Sequence, residues 1–343
     1  MLIKNSGLLL VILLISNFLK AQSITQIAQN PETSIRGLSV VNNRVAWVSG
    51  SKGYTAITRD GGKTWAWQQV KGFESADFRD IEAFSDKEAI VMSSGTPALI
   101  VKTTDGGASW MVKYRNTDTA YFLDAMDFSD HRHGYVLGDP INNKFVLLET
   151  KDGGENWHSY KNPPNSSTGE AAFAASGTCL RVDADNDINI ITGGTQSRWL
   201  LLIADTISHS SWISIDLPLK HGKPSQGAFS IADEGGDVIV GGDYQKDHTI
   251  DSVASYYFYT DQEHGKGKIA MANIPPAGFQ SCVEFIGDDI FLSTGTPGSN
   301  ITTDGGKTWK KIDSTSYNVC RKAKRGNLVL LAGNGGKIGI LKM

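Results

Sequence analysis

The sequence predicts an all-β protein, and within that class a seven-bladed β-propeller of four-stranded antiparallel blades. Three observations predict it: one turn motif recurs about every 46 residues, short β-rich runs lie between its copies, and the two chain ends each supply part of one blade. The 343 residues include 37 glycines, 10 prolines and 8 tryptophans, a composition that suits many short strands joined by tight turns.

The recurring motif is a Thr-x-Asp-Gly-Gly turn followed by Trp. Asp-Gly-Gly between two β-branched runs predicts a hairpin whose glycines adopt positive φ. The aspartate is expected to accept hydrogen bonds from its own turn, and the tryptophan to pack as a large apolar anchor. We therefore expect a folding role, not a catalytic one, for these residues: Asp60, Trp65, Asp105, Trp110, Asp152, Trp157, Asp304 and Trp309.

Residues 1–21 have the pattern of an export signal. Lys4 gives a positive start, residues 8–15 are apolar, and a small-residue exit follows at Ala21. We expect residues 22–343 to form one domain, secreted or periplasmic, with no membrane span after cleavage; an uncleaved anchor is the alternative. Without Lys4 and Lys20 the formal charge changes from −3 to −5, which favours no nucleic-acid partner.

After this segment, residues 23–29 form a lone strand and the repeats follow in order. Each regular repeat has four β-rich runs separated by turn residues. The runs of the first three repeats are 37–41, 44–48, 54–57 and 65–70; 80–84, 89–92, 98–102 and 110–114; and 124–128, 134–137, 145–149 and 157–160. The fourth and fifth repeats keep a second strand with a glycine stop, at 188–194 and 238–242, but their turns near 204–212 and 260–261 are degenerate.

The last two repeats explain how the ring closes. The sixth is regular, with a strand at 290–292 and the Asp304 turn. The seventh has only three runs, at 322–324, 328–333 and 338–341. We expect residues 23–29 to supply its fourth strand, because closure of this kind leaves no long unpaired sheet edge.

The four turn copies resemble Asp-box (BNR) repeats, which occur in sialidases, sortilin-type receptors and other propellers. Together with the seven-bladed closure and the export signal, they make the chain similar to the photosystem II stability/assembly-factor-like propellers. The resemblance covers nearly all of residues 22–343. It implies that the boxes lie on the hairpin between the third and fourth strands of a blade, away from the binding face.

Strand polarity divides the loops between two faces. The boxes and the first-to-second turns share one, the Asp-box face; the second-to-third loops and the inter-blade links share the other, the loop face. The loop face has the richer sequence, in segments 95–97, 138–140, 162–178, 223–226, 242–244 and 295–298. Because rigid scaffolds usually carry function on loops, we expect the binding site there, with Tyr244 among its residues.

Four arginines are expected near the mouth of the central channel: Arg36, Arg79, Arg181 and Arg321. Such a group can hold a carboxylate or a phosphate through bidentate hydrogen bonds. The alternative is that each arginine pairs with a neighbouring acid and lines a water-filled tunnel. The acids available for this are Asp80, Asp124, Asp183 and Glu284.

A glycan-cleaving hydrolase is the catalytic alternative. A sialidase-like site needs arginines, a tyrosine nucleophile and carboxylates. The candidates for the last two are Tyr317, Glu170, Asp139 and Asp243. However, Arg36 is followed by Gly37 and Leu38 where sialidases have an Arg-Ile-Pro motif, so we place this activity second.

No metal or cofactor site is expected. Residues 183–187 begin like a calcium loop, but Ile188 stands where that loop needs glycine. His131 and His133 have no third ligand at a metal-binding spacing. Three cysteines are too few for a disulfide scaffold; Cys282 and Cys320 lie at similar places in neighbouring repeats, and their pairing stays open.

The favoured function is an exported, non-catalytic, monomeric propeller that binds a protein or a glycan through its loop face, as an assembly factor or scaffold. Every strong motif in the chain has a structural explanation, and no complete catalytic set can be assembled from it. The alternative is a sialidase-like or other glycoside hydrolase that uses the arginine-lined centre.

Overall fold

The computed structural model describes residues 22–29, 31–203, 211–234, 236–261 and 266–343, and in these ranges it has thirty β-strands and no helix. The predicted export signal at 1–21 lies outside the described residues, as does the turn at 204–210. In the described ranges there is accordingly no helix long and apolar enough to cross a membrane.

The strands are numbered in chain order. Those of blades one to three are β2 (Ile35–Val40), β3 (Ala46–Gly50), β4 (Tyr54–Thr58) and β5 (Ala66–Gln69); β6 (Asp77–Ala83), β7 (Ala89–Ser94), β8 (Ala98–Thr103) and β9 (Met111–Asn116); and β10 (Leu123–Phe128), β11 (Gly134–Ile141), β12 (Lys144–Thr150) and β13 (His158–Ser159). Blade four has β15 (Leu180–Val182), β16 (Ile188–Ile191), β18 (Arg198–Leu202) and β19 (Ile213–Asp216).

The remaining strands complete the ring. Blade five has β20 (Gln226–Ala232), β21 (Val238–Asp243), β22 (Ala254–Asp261) and β23 (Lys266–Met271), with two additional short strands, β14 (Glu170–Ala171) and β17 (Gly193–Gly194). Blade six has β24 (Cys282–Gly287), β25 (Ile290–Gly295), β26 (Gly298–Thr302) and β27 (Lys310–Asp313). Blade seven has β28 (Val319–Lys322), β29 (Val329–Ala332), β30 (Lys337–Lys342) and, from the other end of the chain, β1 (Ser23–Gln29).

The predicted seven-bladed propeller is confirmed, including its closure. Strand β1 pairs antiparallel with β30, so that Ser23 lies opposite Lys342 and Gln29 opposite Lys337. In blades one to six the strands are hydrogen-bonded in sequence order from the inner to the outer edge, and in blade seven the order from the inner edge is β28-β29-β30-β1. The apolar faces of neighbouring blades pack on one another, and the largest clusters join blades six, seven and one and blades three, four and five.

Blade five departs from the four-stranded prediction because its sheet has six strands, in the order β14-β17-β20-β21-β22-β23. The short strand β17 pairs with β20 through Gly193 and Gly227. The two backbones approach so closely that a Cβ on Gly193 would lie 2.6 Å from the Gly227 Cα. Only glycine permits this contact, and the strand pair β14–β17 extends the sheet beyond its inner edge.

Each Asp box is a hydrogen-bonded unit. Thr58 Oγ1 donates to Asp60 Oδ1 at 2.8 Å and accepts from Gly62 N at 2.9 Å. Thr64 donates to the same carboxylate through its N–H and, at 2.6 Å, its hydroxyl. These bonds, chiefly those from Thr64, lower the pKa of Asp60 to about 2. The same pattern recurs in the boxes of Asp105, Asp152 and Asp304.

The boxes lie on the face predicted for them. Gly61 N donates to Arg44 O at 2.9 Å, and Gly106 N donates to Lys87 O at 2.9 Å. Gly153 and Gly305 make equivalent bonds to the first-to-second turns of their own blades. The four box hairpins and these turns therefore share the Asp-box face.

A polar bond joins the inner strand of every blade to the next blade around the ring. The seven bonds are Ala83 N to Ser39 Oγ, Met126 N to Asp80 Oδ2, Val182 N to Asp127 Oδ2, Arg181 Nε to Ile231 O, Val283 N to Ser230 Oγ, Lys322 N to Glu284 Oε1 and Lys324 N to Val40 O. We call these the ring bonds. Several of the charged groups around the channel are thus committed to holding blades together.

Replacing Thr302 with valine is expected to lower the free energy of unfolding by about 1–3 kcal/mol, because the isosteric change leaves the buried Gly306 N–H without its acceptor. Thr302 is buried and also bonds Asp304. The measurement is urea denaturation followed by tryptophan fluorescence. The control is Thr119→Val, at an exposed threonine. Equal stability of the two variants would contradict a folding role for the box.

Candidate functional site

At the loop face the central channel is closed by the chain itself. The link from blade three to blade four crosses the axis, and residues 172–178 of this link, which we call the plug, are mostly buried. Phe173 stacks on Phe229 of blade five with ring centroids 3.8 Å apart. Ser176 Oγ donates to Ser281 O of blade six at 2.7 Å. The plug is therefore fastened to blades five and six in addition to the two blades that it connects.

Three of the predicted arginines hold the plug. Arg79 Nη1 donates to Ala174 O at 3.3 Å, and Arg36 Nη1 donates to Ala175 O at 3.2 Å. Arg321 Nη2 donates to Ser176 O at 3.3 Å. Three guanidinium groups from blades one, two and seven thus converge on three consecutive carbonyls. The sequence correctly placed these arginines around one mouth, but not the peptide that occupies it.

The predicted arginine–acid pairs form only in part. Arg181 pairs with Glu284 at 2.8 Å, and Arg321 lies 3.7 Å from the same carboxylate. Arg79 pairs instead with Asp77 at 2.8 Å, and Arg36 makes no ion pair among the described residues. Burial, with the adjacent charge of Arg79, lowers the pKa of Arg36 to about 10. At this mouth the plug occupies the end of the channel that the alternative interpretation described as a water-filled tunnel.

Acidic groups lie directly under the plug. Gly177 has φ of +73°, and a Cβ on it would lie 2.1 Å from Asp80 Oδ2. Asp80 accepts hydrogen bonds from Ile81 N and Met126 N, each at 2.8 Å. Burial raises its pKa to about 7 despite the nearby charge of Arg321. Burial, followed by the charge of Asp139, raises the pKa of Asp124 well above its usual range.

Glu170, the first catalytic candidate, is committed to an internal ion pair. Its side chain is fully buried and forms a two-point contact with Arg198, Oε1 to Nε at 2.8 Å and Oε2 to Nη2 at 2.5 Å. Thr192 Oγ1 and Ser167 N donate to the remaining acceptor positions. These bonds fasten strand β14 to blade four and leave no acceptor directed at a substrate.

The other three candidates lie in separate environments. Asp139 accepts from Ala172 N at 3.2 Å, and burial raises its pKa to about 6. Burial acts to raise the pKa of Asp243. The hydrogen bonds that its carboxylate accepts, first that from Gln226, outweigh burial, so the pKa is lowered. Tyr317 is buried in the core of blades six, seven and one, and burial raises its pKa to about 12. None of the four residues lines the large central cavity.

Tyr244 projects from the loop face on a rigid aromatic base. Its side chain is 48% exposed, and its ring meets Phe229 and Phe279 edge-on at 6.2 and 6.4 Å. Phe229 and Phe279 are themselves buried and 4.7 Å apart. The same Phe229 carries the plug residue Phe173. Tyr244 is therefore a large, accessible and pre-positioned contact residue beside the closed mouth.

The principal cavity opens on the opposite, Asp-box face. It has a volume of about 1150 Å³ and is lined by the inner strands and the first-to-second turns. Its wall is rich in charge, with Asp127, Asp183, Asp233 and Asp237 from blades three to five and Lys322, Lys324 and Arg325 from blade seven. The residues assigned to a water-filled tunnel that line this cavity are Arg181, Arg321, Asp80, Asp183 and Glu284, but sequence reasoning did not predict the acidic wall from blade five. The available signal was the density of acids in the turns at 183–187 and 233–237.

All three cysteines are buried free thiols. Cys282 Sγ lies 3.3 Å from Cys320 O, so the two residues whose pairing was left open are neighbours across blades six and seven. Among the described residues, no group of three or more His, Cys, Asp or Glu side chains is placed to hold a metal ion.

Comparison with known proteins agrees with the motif analysis. A family model described as photosynthesis system II assembly factor YCF48 matches residues 17–118, and a BNR/Asp-box repeat model matches residues 301–311. The resemblance predicted from the turn copies is confirmed. No curated protein sequence matches the chain significantly.

Solved structures with similar folds include two of YCF48. "YCF48 bound to D1 peptide" is 14% identical with a TM-score of 0.64, covering 94% of this chain and 97% of that one. YCF48 from Cyanidioschyzon merolae is 16% identical with a TM-score of 0.64, covering 93% and 98%. The Pan2 WD40 domain from Neurospora crassa is 14% identical with a TM-score of 0.61, covering 93% and 94%. At these identities the likeness shows the propeller fold.

Proposed function

We propose that the chain is an exported, monomeric, non-catalytic propeller that binds a protein partner through its loop face, as an assembly factor or scaffold. The observation that carries this proposal is Tyr244, which is exposed on a buried aromatic base at that face. Tyrosine on a rigid support is a frequent energetic centre of protein interfaces. The exposed loop after it adds Lys246 and Ile250, which provide a charge and an apolar contact.

The contacts of the catalytic candidates support a binding role. Glu170 is saturated by Arg198 and Thr192, and Asp243 is bonded by Gln226. Tyr317 is buried in a different part of the ring. A retaining or inverting glycosidase needs two carboxyl groups facing one pocket at roughly 5–10 Å. The arginines that a sialidase would direct at its substrate donate here to the plug.

The comparisons add support of a different kind. The family model that matches residues 17–118 describes an assembly factor, and one solved propeller of the same fold is titled as bound to a D1 peptide. For this chain we propose only the shared element, recognition of a protein segment. Export, as the pattern at residues 1–21 predicts, would place that partner in the cell envelope or outside the cell.

Tyr244→Ala is expected to weaken partner capture at least about tenfold, because a hot-spot tyrosine contributes about 2 kcal/mol or more and a factor of ten corresponds to about 1.4 kcal/mol. The measurement is a quantitative pull-down from envelope extract with residues 22–343 as bait. The matched control is Tyr259→Ala, which removes an equally accessible tyrosine from the Asp-box face. Equal capture by both variants, or loss with the control alone, would contradict binding through the loop face.

A glycan ligand and glycan hydrolysis are tested beside the pull-down. A glycan array reports binding, and a panel of fluorogenic glycosides reports turnover. If a glycan binds saturably and Tyr244→Ala abolishes that binding, the partner is a glycan and not a protein, but the loop face is still the binding surface. Turnover that Glu170→Gln abolishes in a folded protein would overturn the non-catalytic proposal.

A further inference from the structure

The central cavity extends outward between blades four and five on the Asp-box face. Its lining there includes Trp199 from β18, Ile215 from β19, and Tyr257 and Tyr259 from β22. Among the six blades whose third and fourth strands are consecutive in the chain, these are the two that lack the Asp-Gly-Gly turn. We call the region lined by Trp199, Asp233, Asp237, Tyr257 and Tyr259 the acid–aromatic pocket. It lies on the face opposite Tyr244 and takes no part in the function proposed above.

Three aromatic rings form one side of this pocket. Trp199 and Tyr257 meet edge-on with centroids 6.0 Å apart, and Tyr257 and Tyr259 meet edge-on at 5.2 Å. Trp199 is almost fully buried, whereas Tyr259 is 58% exposed. The three rings therefore extend from the protein core at Trp199 to the surface at Tyr259. Aromatic faces attract cations through their quadrupole.

Hydrogen bonds position the first carboxylate beside these rings. Trp199 Nε1 donates to Asn189 Oδ1 at 2.8 Å, and Asn189 Nδ2 donates to Asp233 Oδ2 at 3.1 Å. Asn189 is buried, so this chain of bonds is held away from bulk water. The nearest opposite charge, Arg181, is already shared with Glu284 and the Ile231 carbonyl.

The second carboxylate has no hydrogen-bond donor. In the described part of the chain, no group donates to the side chain of Asp237, although its own carbonyl accepts from Tyr257 N at 2.8 Å. Burial, with the adjacent charge of Asp233, raises the pKa of Asp237 to about 7. Asp237 and Tyr257 line the same cavity, and burial, followed by the charges of Tyr259 and Asp237, raises the pKa of Tyr257.

We infer that the acid–aromatic pocket binds an organic cation through its ammonium group. Two carboxylates that form no ion pair with any described residue supply the counter-charge, and the rings of Tyr257 and Tyr259 supply apolar and cation–π contacts. An anion is repelled by the same carboxylates. A neutral ligand of the same shape makes only the contacts with the rings. The pocket is therefore expected to bind the cation more tightly than the neutral ligand.

The test compares choline with its neutral carbon isostere, in which a tert-butyl group replaces the trimethylammonium group. Residues 22–343 are titrated with each, and binding is followed by calorimetry and ligand-observed NMR at neutral pH. Choline is expected to saturate one site and the isostere to bind about tenfold or more weakly. Asp237→Asn and Tyr259→Ala are each expected to weaken choline binding about tenfold. Tyr244→Ala, the matched aromatic control on the other face, leaves it unchanged.

Three outcomes would overturn the inference. These are no saturation by choline, equal binding of choline and the isostere, and choline binding that persists unchanged in both pocket variants. Tyr259 is exposed, so its alanine variant remains informative if Asp237→Asn folds poorly. Because Tyr244→Ala tests the loop face alone, the two proposals fail independently.

Discussion

Glu170→Gln is expected to lower the free energy of unfolding by about 3–5 kcal/mol, the usual result of removing one partner from a buried ion pair. The Glu170 side chain is fully buried, and Arg198 opposite it is largely buried. An amide in its place keeps the shape but leaves the guanidinium without a counter-charge. It also places an NH₂ group where the carboxylate accepted from Thr192 and Arg198. The measurement is chemical denaturation monitored by tryptophan fluorescence.

A double-mutant comparison separates the stability contributed by the Glu170–Arg198 ion pair from the effect of substituting each of the two residues. Arg198→Met alone leaves Glu170 as the unpaired charge and is expected to cost a similar amount. The double variant Glu170→Met with Arg198→Met removes both charges, and part of the lost stability is expected to return. Additive losses in the double variant would contradict a structural pair. If the Glu170→Gln protein is as stable as the unsubstituted protein, Glu170 has no structural role and a catalytic role for it would be open again.

The architecture could be predicted from the sequence because its signals are local and repeated. Four copies of one turn motif fix the period of the repeat, and the glycine stops at 193–194 and 241–242 mark the degenerate blades. The pairing of β1 with β30 could be predicted because the seventh repeat has one strand too few and the strand at residues 23–29 belongs to no repeat. Each of these inferences needs only the neighbouring residues and the requirement that the sheet edges be satisfied.

The candidate site was harder to predict because it depends on the path of one link. Nothing in the residue types at 172–178 shows that they cross the channel axis. The carbonyls that Arg36, Arg79 and Arg321 bind belong to the backbone, which carries no sequence signature. The mouth was therefore correctly placed and its occupant was missed. The arginine motif alone does not distinguish an external carboxylate from an internal peptide.

The stability of the protein is expected to fall as the pH rises from about 4 to about 7. Burial raises the pKa of Asp80 to about 7 and that of Asp127 to about 6, from an ordinary value near 3.8. Between the unfolded and folded pKa values, the folded state binds the extra proton. Each such group therefore lowers the free energy of unfolding by about 1.4 kcal/mol per pH unit. Asp139 and Asp237, whose pKa values are also raised, act in the same direction.

Other titrating groups act at the two ends of this window. Asp60, Asp105 and Asp152 have pKa values near 2, so the stability they add is lost only as the pH falls below about 4. Despite burial, the hydrogen bond with Cys320 lowers the pKa of Cys282 to about 6, so this thiol binds fewer protons when folded and raises stability only above that pH. Urea midpoints between pH 4.5 and 6 therefore report the buried acids with little interference.

The ring bonds offer a matched pair of variants for this measurement. Ser39 and Asp80 each accept a backbone N–H from the next blade, but only Asp80 titrates. Ser39→Ala is expected to lower stability equally at every pH, whereas Asp80→Asn is expected to flatten the decline by about 1.4 kcal/mol per pH unit. A slope that Asp80→Asn leaves unchanged would show that its proton is not retained in the folded ring. A slope that Ser39→Ala alters would show that the pH dependence comes from loosened blades and not from the acid itself.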